Sequence, residues 1–572
     1  MFEFPRLSPD EIHRLFPAEK APPAPETFEL GLVLGGTVSA GAYTAGVLDF
    51  LVQALDRWEA AKQGNDPTVP RHNVVLKVAA GASGGAVNGA ILGRIVTQRI
   101  TPVTLANEPT AAPDNPFYQV WVRKLTIQGL LDPSDLQGTP LASLCNPGPI
   151  DAAAGYVVDF SNGTAVSRDW LGNPLTLFMT LTNLRGIPYR MGFQNPNLSL
   201  ATVNHADFVR FGIQTRAGLE TFRPDEFTII TQGANTGAGW PVLGDFARAS
   251  GAFPIGFPAR PLMRPLKHYN YRVAALPGDG AGVPGEVRQL VPDWSALEPD
   301  AVGNCLFLTV DGGATNNDPI ELARTELVGW LKRLPRTGTD ANRAVILIDP
   351  FNDKADLGPL MSKPLIEVLL PLAMGLKDQA RYGTQDLAMA VEENVSSRFM
   401  ITARRARAGG GEYVGNDAIC SSGLGAFLGF MCEDYRRHDY FLGRANCQKF
   451  LQDLFAVPAG NPVVGGWTAA QDQAHGFTRD GNRHRRLIPL VGDAATPEET
   501  LPWPENRFDP NMVRDAVTTR VNGLISGLSS EAASDFWAKL YLWLGDDAIS
   551  SALTDLVMAN ITDAVTALNQ RT

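Results

Sequence analysis

The sequence predicts an α/β fold on a mainly parallel sheet, and three observations carry the prediction. A short apolar run, Phe28 to Leu34, breaks into a glycine-rich turn and then a helix-like stretch, Ala42 to Ala61, that ends at Gly64. The rhythm then repeats: the apolar run Val74 to Ala80, the turn Gly81-Ala82-Ser83-Gly84-Gly85, and a second helical stretch from Ala86 to about Val96. Further apolar runs at Leu175–Thr182, Phe227–Thr231, Cys305–Val310 and Ala344–Ile348 supply more strands. Short apolar runs bounded by turn residues read as buried strands, and strands alternating with helices read as a parallel sheet.

Around that core the chain divides by composition. Residues 1–27 form an N-terminal arm that closes on the proline-rich segment 21–25. Residues 28–455 form the core, with large insertions near 100–170 and 262–304 that are rich in Pro, Gly and Asn. Within it, 357–455 reads mostly as helix. Residues 456–572 are a loop-rich segment followed by a helical C-terminal region, where Ile549, Leu553, Val557, Ile561 and Val565 recur every four residues as one apolar face.

Composition excludes several function classes. A hydrophobic content of 44%, a charged content of 19% and a mean hydropathy of −0.06 describe a globular protein. A net charge of −11 argues against nucleic acid and against stable attachment to an anionic bilayer. The basic run Arg483 to Arg486 is flanked by Asp480 and Asp493 and reads as a solvated loop. Five widely spaced cysteines, none in a C-x-x-C pair, indicate neither a zinc site nor a disulfide framework. The charged N-terminus lacks the apolar core of a secretory signal, and Pro364 to Leu376 is too short to span a bilayer, so a cytoplasmic location is expected. The aromatic run Phe536 to Leu544 is the candidate for transient contact with a membrane surface, against the plainer reading of a core helix.

Chemistry concentrates at three glycine-rich turns. Gly81-Ala82-Ser83-Gly84-Gly85 matches G-x-S-x-G, in which Gly81 and Gly85 relieve crowding around a nucleophile on a sharp strand-to-helix turn. Ser250, in Arg248-Ala249-Ser250-Gly251-Ala252, lacks the first glycine and makes a poorer elbow. A serine hydroxyl needs a base. The seven histidines do not sit where a hydrolase triad would place one, although His438, His475 and His484 lie late enough in the chain. A desolvated carboxylate can serve instead, and Asp311 ends an apolar run and is followed by Gly312-Gly313. The third turn, Gly35-Gly36-Thr37-Val38-Ser39-Ala40-Gly41, opens a helix with consecutive backbone N–H groups. Gly35, Gly36 and Thr37 are its candidate oxyanion hole, a role worth roughly 3–4 kcal/mol per donor. The loop matches neither a P-loop nor G-x-G-x-x-G.

Together the three turns resemble the patatin-like phospholipase family, which includes bacterial lipid acyl hydrolases. Gly41-Ala42-Tyr43-Thr44-Ala45-Gly46-Val47-Leu48 stands where that family has G-A-Y-x-A-G-V-L, and Asp311-Gly312-Gly313 with Asn316-Asn317-Asp318-Pro319 matches its D-G-G/A motif. Leu181-Thr182-Asn183-Leu184 and Ala249 to Pro254 are also similar. The likeness covers about residues 28–350. It implies a three-layer α/β/α core and a Ser83–Asp311 dyad that uses no metal or cofactor to hydrolyse acyl esters, often of phospholipids. One departure stands out: Thr37 and Val38 replace two of the family's glycines, and Ala40 stands where the family carries Arg or Lys. A lipid-binding protein that keeps the fold without turnover is the alternative, and oligomeric state is not legible.

Overall fold

The computed structural model describes residues 6–137, 141–162, 165–192, 199–218, 222–231, 237–278, 284–351, 395, 397–531 and 546–571. The apolar segments Pro364 to Leu376 and Phe536 to Leu544, and the helix expected over 357–394, lie outside the described residues. The strands of the main sheet are β1 (Thr27–Leu34), β2 (Asn73–Gly81), β3 (Leu171–Gly192), β4 (Ser199–Ile213), β5 (Phe227–Ile229), β6 (Arg260–Pro265), β7 (Asn304–Asp311), β8 (Arg343–Ile348) and β9 (Arg398–Ile401). Their order is β9-β8-β1-β2-β3-β4-β5. The first four neighbouring pairs are parallel, as expected, and β3 then pairs antiparallel with β4. β7 lies antiparallel on the far end of β3, and β6 lies antiparallel on β7.

The helices that matter below are α1 (Gly41–Lys62), α2 (Gly84–Ile95), α3 (Gly148–Asp159), α4 (Trp240–Ser250), α5 (Ile320–Val328), α6 (Glu433–Asp453), α7 (Arg514–Glu531) and α8 (Asp546–Asn569). Alternation along the strands covers both faces of the sheet. Leu32, Leu34, Ala79, Ile346 and Ile348 pack in the main core with α1, α2 and α6. Val33, Val78, Ala80, Val345 and Leu347 meet Ala323, Leu327 and Val328 of α5 on the opposite face. This is the three-layer α/β/α arrangement. A register shift between Leu76 and Val78 leaves Lys77 as the extra residue against β1, whereas against β3 it is β3 that carries the extra residues, between Leu171 and Thr176.

Helix α1 is long and apolar enough to cross a membrane by composition, yet 94% of its most apolar window is buried. It is the central core helix, and α6 crosses it at two glycines. A Cβ on Gly46 would lie 1.9 Å from the carbonyl oxygen of Tyr440, and one on Gly443 would lie 2.1 Å from that of Tyr43. The backbones touch, and nothing larger fits. Beside the crossing, Arg444 is fully buried between Asp49 and Glu498 and also donates to Gln53.

Residues after 456 add to this same core. Val457, Val463, Val464, Trp467, Leu487 and Ile488 belong to it, attached by a small antiparallel sheet of Ala456–Pro458, Asn482–Arg486 and Gly476–Arg479. Arg483 to Arg486 therefore lie on a strand and not in a solvated loop: Arg483 and Arg485 bind Asp472, and Arg486 donates to the carbonyls of Gln452 and His475. Residues 398–414 also depart from the helical expectation, forming β9 and a hairpin of Arg404–Ala406 with Glu412–Val414. In α8 the buried stripe is Met558, Ile561, Val565 and Leu568, while Leu553 and Val557 are exposed. A strict spacing of four advances about 40° per step around a helix of 3.6 residues per turn, so the predicted face drifts off the core.

His72 sits in this core between Trp58 and Trp467. Trp467 donates to its Nδ1, and its Nε2 donates to the carbonyl of Leu487, which fixes the neutral ring. Burial lowers His72 from its ordinary 6.5 to about 3 and does the same to His268. Between those values the unfolded chain binds protons that the folded chain refuses. Stability should therefore fall as pH drops from about 6.5 towards 3, by about 1.4 kcal/mol per pH unit for each histidine. Urea unfolding of wild type and His72→Gln between pH 7 and 5 should show a shallower slope in the variant.

Gly46→Ala and Gly443→Ala should each cost about 1–3 kcal/mol by overpacking. Gly155→Ala, on α3 with open space around the added methyl, should gain about 0.5–1 kcal/mol. Denaturant midpoints measure both, and stabilisation at all three positions would contradict the crossing.

Candidate active site

The parallel register brings two turns to one edge of the sheet. Leu34 and Gly81 are paired partners, so the loop after β1 and the turn after β2 emerge side by side. Ser83 sits at φ +52°, ψ −126°, a conformation costly for any residue with a side chain, and α2 begins at the next residue. The glycines around it are sterically required. A Cβ on Gly81 would lie 2.6 Å from the carbonyl of Gly85, and one on Gly85 would lie 2.1 Å from that of Leu34.

Asp311 reaches the same place from an unexpected direction. In a mainly parallel sheet its strand is expected to run parallel to that of Ser83, but β7 runs antiparallel to β3. Strand β3 overruns β2: Met179 is level with Gly81, and Leu181 is level with Asp311. β7 returns along that overhang, and its last residue meets the elbow. Ser83 Oγ donates to Asp311 Oδ2 at 2.5 Å, with both residues buried. The other carboxylate oxygen accepts from the Gly313 N–H at 2.6 Å. Backbone bonds hold Asp311 from both sides: its N–H donates to the Ala252 carbonyl, and its carbonyl accepts from Thr182 Oγ1. Gly312 abuts the Thr180 carbonyl, where a Cβ would lie at 2.2 Å.

In the oxyanion loop the Gly35 N–H donates to the Ile348 carbonyl at 3.1 Å, continuing the sheet. Gly35 is thereby corrected from donor to strand end. Among the described residues, the N–H groups of Gly36, Thr37 and Gly84 carry no backbone partner. Gly36 lies against Ser83, since a Cβ there would be 3.2 Å from Ser83 Cβ and 2.3 Å from Asn317 Oδ1. Gly84 is likewise packed on Thr37 Oγ1. It is not among the donors that the sequence suggested, although it follows Ser83 and starts a helix, where N–H groups are unpaired. Val38 adopts φ +47° where the family's pattern has glycine, a strained position for a β-branched side chain. Ser39, also missed, pins the loop from behind: its Oγ donates to the Ala426 carbonyl and accepts from the Gly429 N–H.

A narrow cavity of about 80 Å3 leads away from Ser83, and its walls are almost wholly apolar. α4 contributes Trp240, Leu243 and Ala247, and α2 contributes Val87, Ala90 and Ile91. The remainder comes from the insertion near 100–170, with Val120, Trp121 and Leu125 and, on α3, Ala153 and Val157. The rim edge of the Trp121 indole lies where a Cβ on Gly41 would be, at 2.2 Å. Arg436 ties the roof by donating to the carbonyls of Val122, Gly429 and Phe430. Burial pulls its guanidinium down to about 10, which leaves it charged at neutral pH.

No histidine lines this cavity among the described residues. His438 is buried with Cys420 and Asp439 against Trp503, His475 ends a short helix, and His484 lies on the small sheet. The five cysteines are free thiols.

A family model described as patatin-like phospholipase matches residues 32–324. An uncharacterized protein of Sinorhizobium fredii (strain NBRC 101917 / NGR234), y4iI, is 33% identical over 536 residues, spanning 85% of this chain and 73% of its own. Among solved structures, VipD from Legionella pneumophila aligns over 96% of this chain and 85% of its own, at 11% identity and a TM-score of 0.21, too slight a likeness to bear on the site.

Gly36→Ala should lower stability by about 1–3 kcal/mol, because the new methyl meets Asn317 and Ser83 at once. Unchanged denaturant unfolding would show that the loop yields without cost.

Proposed function

Since this chain belongs to the patatin-like phospholipase family, we propose that it is a serine acyl hydrolase of lipid esters working through a Ser83–Asp311 dyad. The observation that carries the reading is the buried 2.5 Å contact between Ser83 Oγ and Asp311 Oδ2 at the mouth of an apolar cavity. Asp311 takes the hydroxyl proton as Oγ attacks the ester carbonyl. The N–H groups of Gly36, Thr37 and Gly84 receive the oxyanion, helped by the positive end of α2. The alcohol leaves with the proton, and the acyl group stays on Ser83. Water, deprotonated by Asp311, then releases the carboxylic acid. No step needs a metal or cofactor.

The cavity's almost wholly apolar walls suit an acyl chain, which would lie along them with its carbonyl at Ser83. A head group would stay outside the walls. With Ala40 in the loop, charge on such a head group meets no cation from that position. Activity inside the cell, at most transiently at a membrane surface, completes the proposal.

Fluorophosphonate should label purified wild type at Ser83, and Ser83→Ala should abolish both labelling and ester turnover, by more than about 1,000-fold. Asp311→Asn should nearly do so while both variants unfold normally. Well-folded wild type that resists the reagent would instead favour lipid binding without turnover.

A further inference from the structure

Ser250 was legible only as an inferior nucleophile candidate, and the structure gives it a different place. It is fully buried at the C-terminal end of α4, and its Oγ accepts a hydrogen bond from the backbone N–H of Ser83 at 3.1 Å. That N–H has no backbone acceptor among the described residues, because the left-handed turn at Ser83 carries it out of both the sheet ladder and the helix. Two residues further on, the Ala252 carbonyl accepts the Asp311 N–H at 2.9 Å. One short segment thus holds the backbones of both dyad members. The same helix lends Trp240, Leu243 and Ala247 to the wall of the cavity.

We propose that Ser250 is a positioning residue for the nucleophile: its hydroxyl fixes the Ser83 peptide and so holds Oγ on Asp311. The inference rests on the hydrolase reading above. The physical argument is one of unpaired groups and strain. Without an acceptor, a buried N–H is left unsatisfied, and the turn loses the bond that offsets its unfavourable dihedrals. The Ser83 backbone then relaxes, and Oγ moves off the line between Asp311 and the ester carbonyl. The bond also commits the Ser83 N–H, which leaves the oxyanion to Gly36, Thr37 and Gly84.

The test compares Ser250→Ala, the near-isosteric but weakly accepting Ser250→Cys, and Ser250→Thr, which keeps the hydroxyl. A misplacement of about 1 Å costs on the order of 100-fold. The Ala and Cys variants should therefore lose about 10- to 100-fold in kcat for a medium-chain ester and in the rate of fluorophosphonate labelling. Their KM should stay near wild type, because the cavity walls are untouched, and Ser250→Thr should recover the rate. Thermal unfolding is recorded for each, and rates are taken per folded molecule. If Ser250→Ala fails to fold, the Cys variant carries the comparison. Wild-type rates in Ala or Cys, or losses that vanish once corrected for the folded fraction, would overturn the positioning role alone. Failure of wild type itself to label would overturn the hydrolase reading, a separate result.

Discussion

Everything at this site depends on one backbone constraint: the turn at Ser83 must bend so sharply that α2 starts against the end of β1. Gly81 and Gly85 are where it bends, and Gly85 lies against the carbonyls of Leu34 and Gly35. The close approach brings the loop after β1 onto Ser83 without help from a long side chain. It also sets the demands on the rest of the fold. β1 and β2 must be parallel and in register at Leu34 and Gly81, and the helix behind the oxyanion loop must not shift. The touching backbones of α1 and α6 at Gly46 and Gly443 meet the second demand, since helices in backbone contact cannot slide without a clash.

Two hydrogen-bonding dipoles meet the charge of Asp311. The Asp311 carboxylate is held by a hydroxyl and a backbone N–H, and the candidate oxyanion donors are peptide groups. Two arginines close to the cavity are occupied with structure. Arg436 ties three carbonyls of the roof, and Arg248 at the edge pairs with Asp151 and Asp245. Fixed peptide dipoles need no reorganisation as negative charge develops, which is where their advantage over a mobile cation lies. Val38 and Ala40 remove glycine and charge from the loop but leave those dipoles in place, held by Ser39 and the turn at Ala426 to Gly429.

The parts of this arrangement legible in the sequence are those governed by local rules. Ser83 and its glycines could be read because a strained turn admits few residues. Asp311 could be read because it ends an apolar run and two glycines follow it at once, in a motif that matches the family's. What escaped needed partners far along the chain. The direction of β7 depends on how far β3 overruns its neighbour, and no local pattern encodes that length. Gly35 looks like its neighbours in sequence, yet its N–H is taken by Ile348, more than 300 residues away. The stripe on α8 was misread for a simpler reason: a spacing of four imitates the true helical repeat over two turns and then departs from it.

The insertion near 100–170 shows why reading an α/β core from its motifs stops short of specificity. Its proline, glycine and asparagine content marks it as a loop, and by pattern it belongs to no strand or core helix. Yet Trp121 fills the space left by Gly41, and Ala153 and Val157 complete the wall beside α4. Small residues on one side and an indole on the other produce a narrow cavity whose shape neither set would produce alone. In the proposed reaction the core sets where an acyl carbonyl is attacked, because parallel register and backbone contact leave Ser83 and Asp311 little freedom, and the insertion sets what stands behind that carbonyl. A relative could keep every glycine of the three turns and change its acyl preference through Trp121 alone.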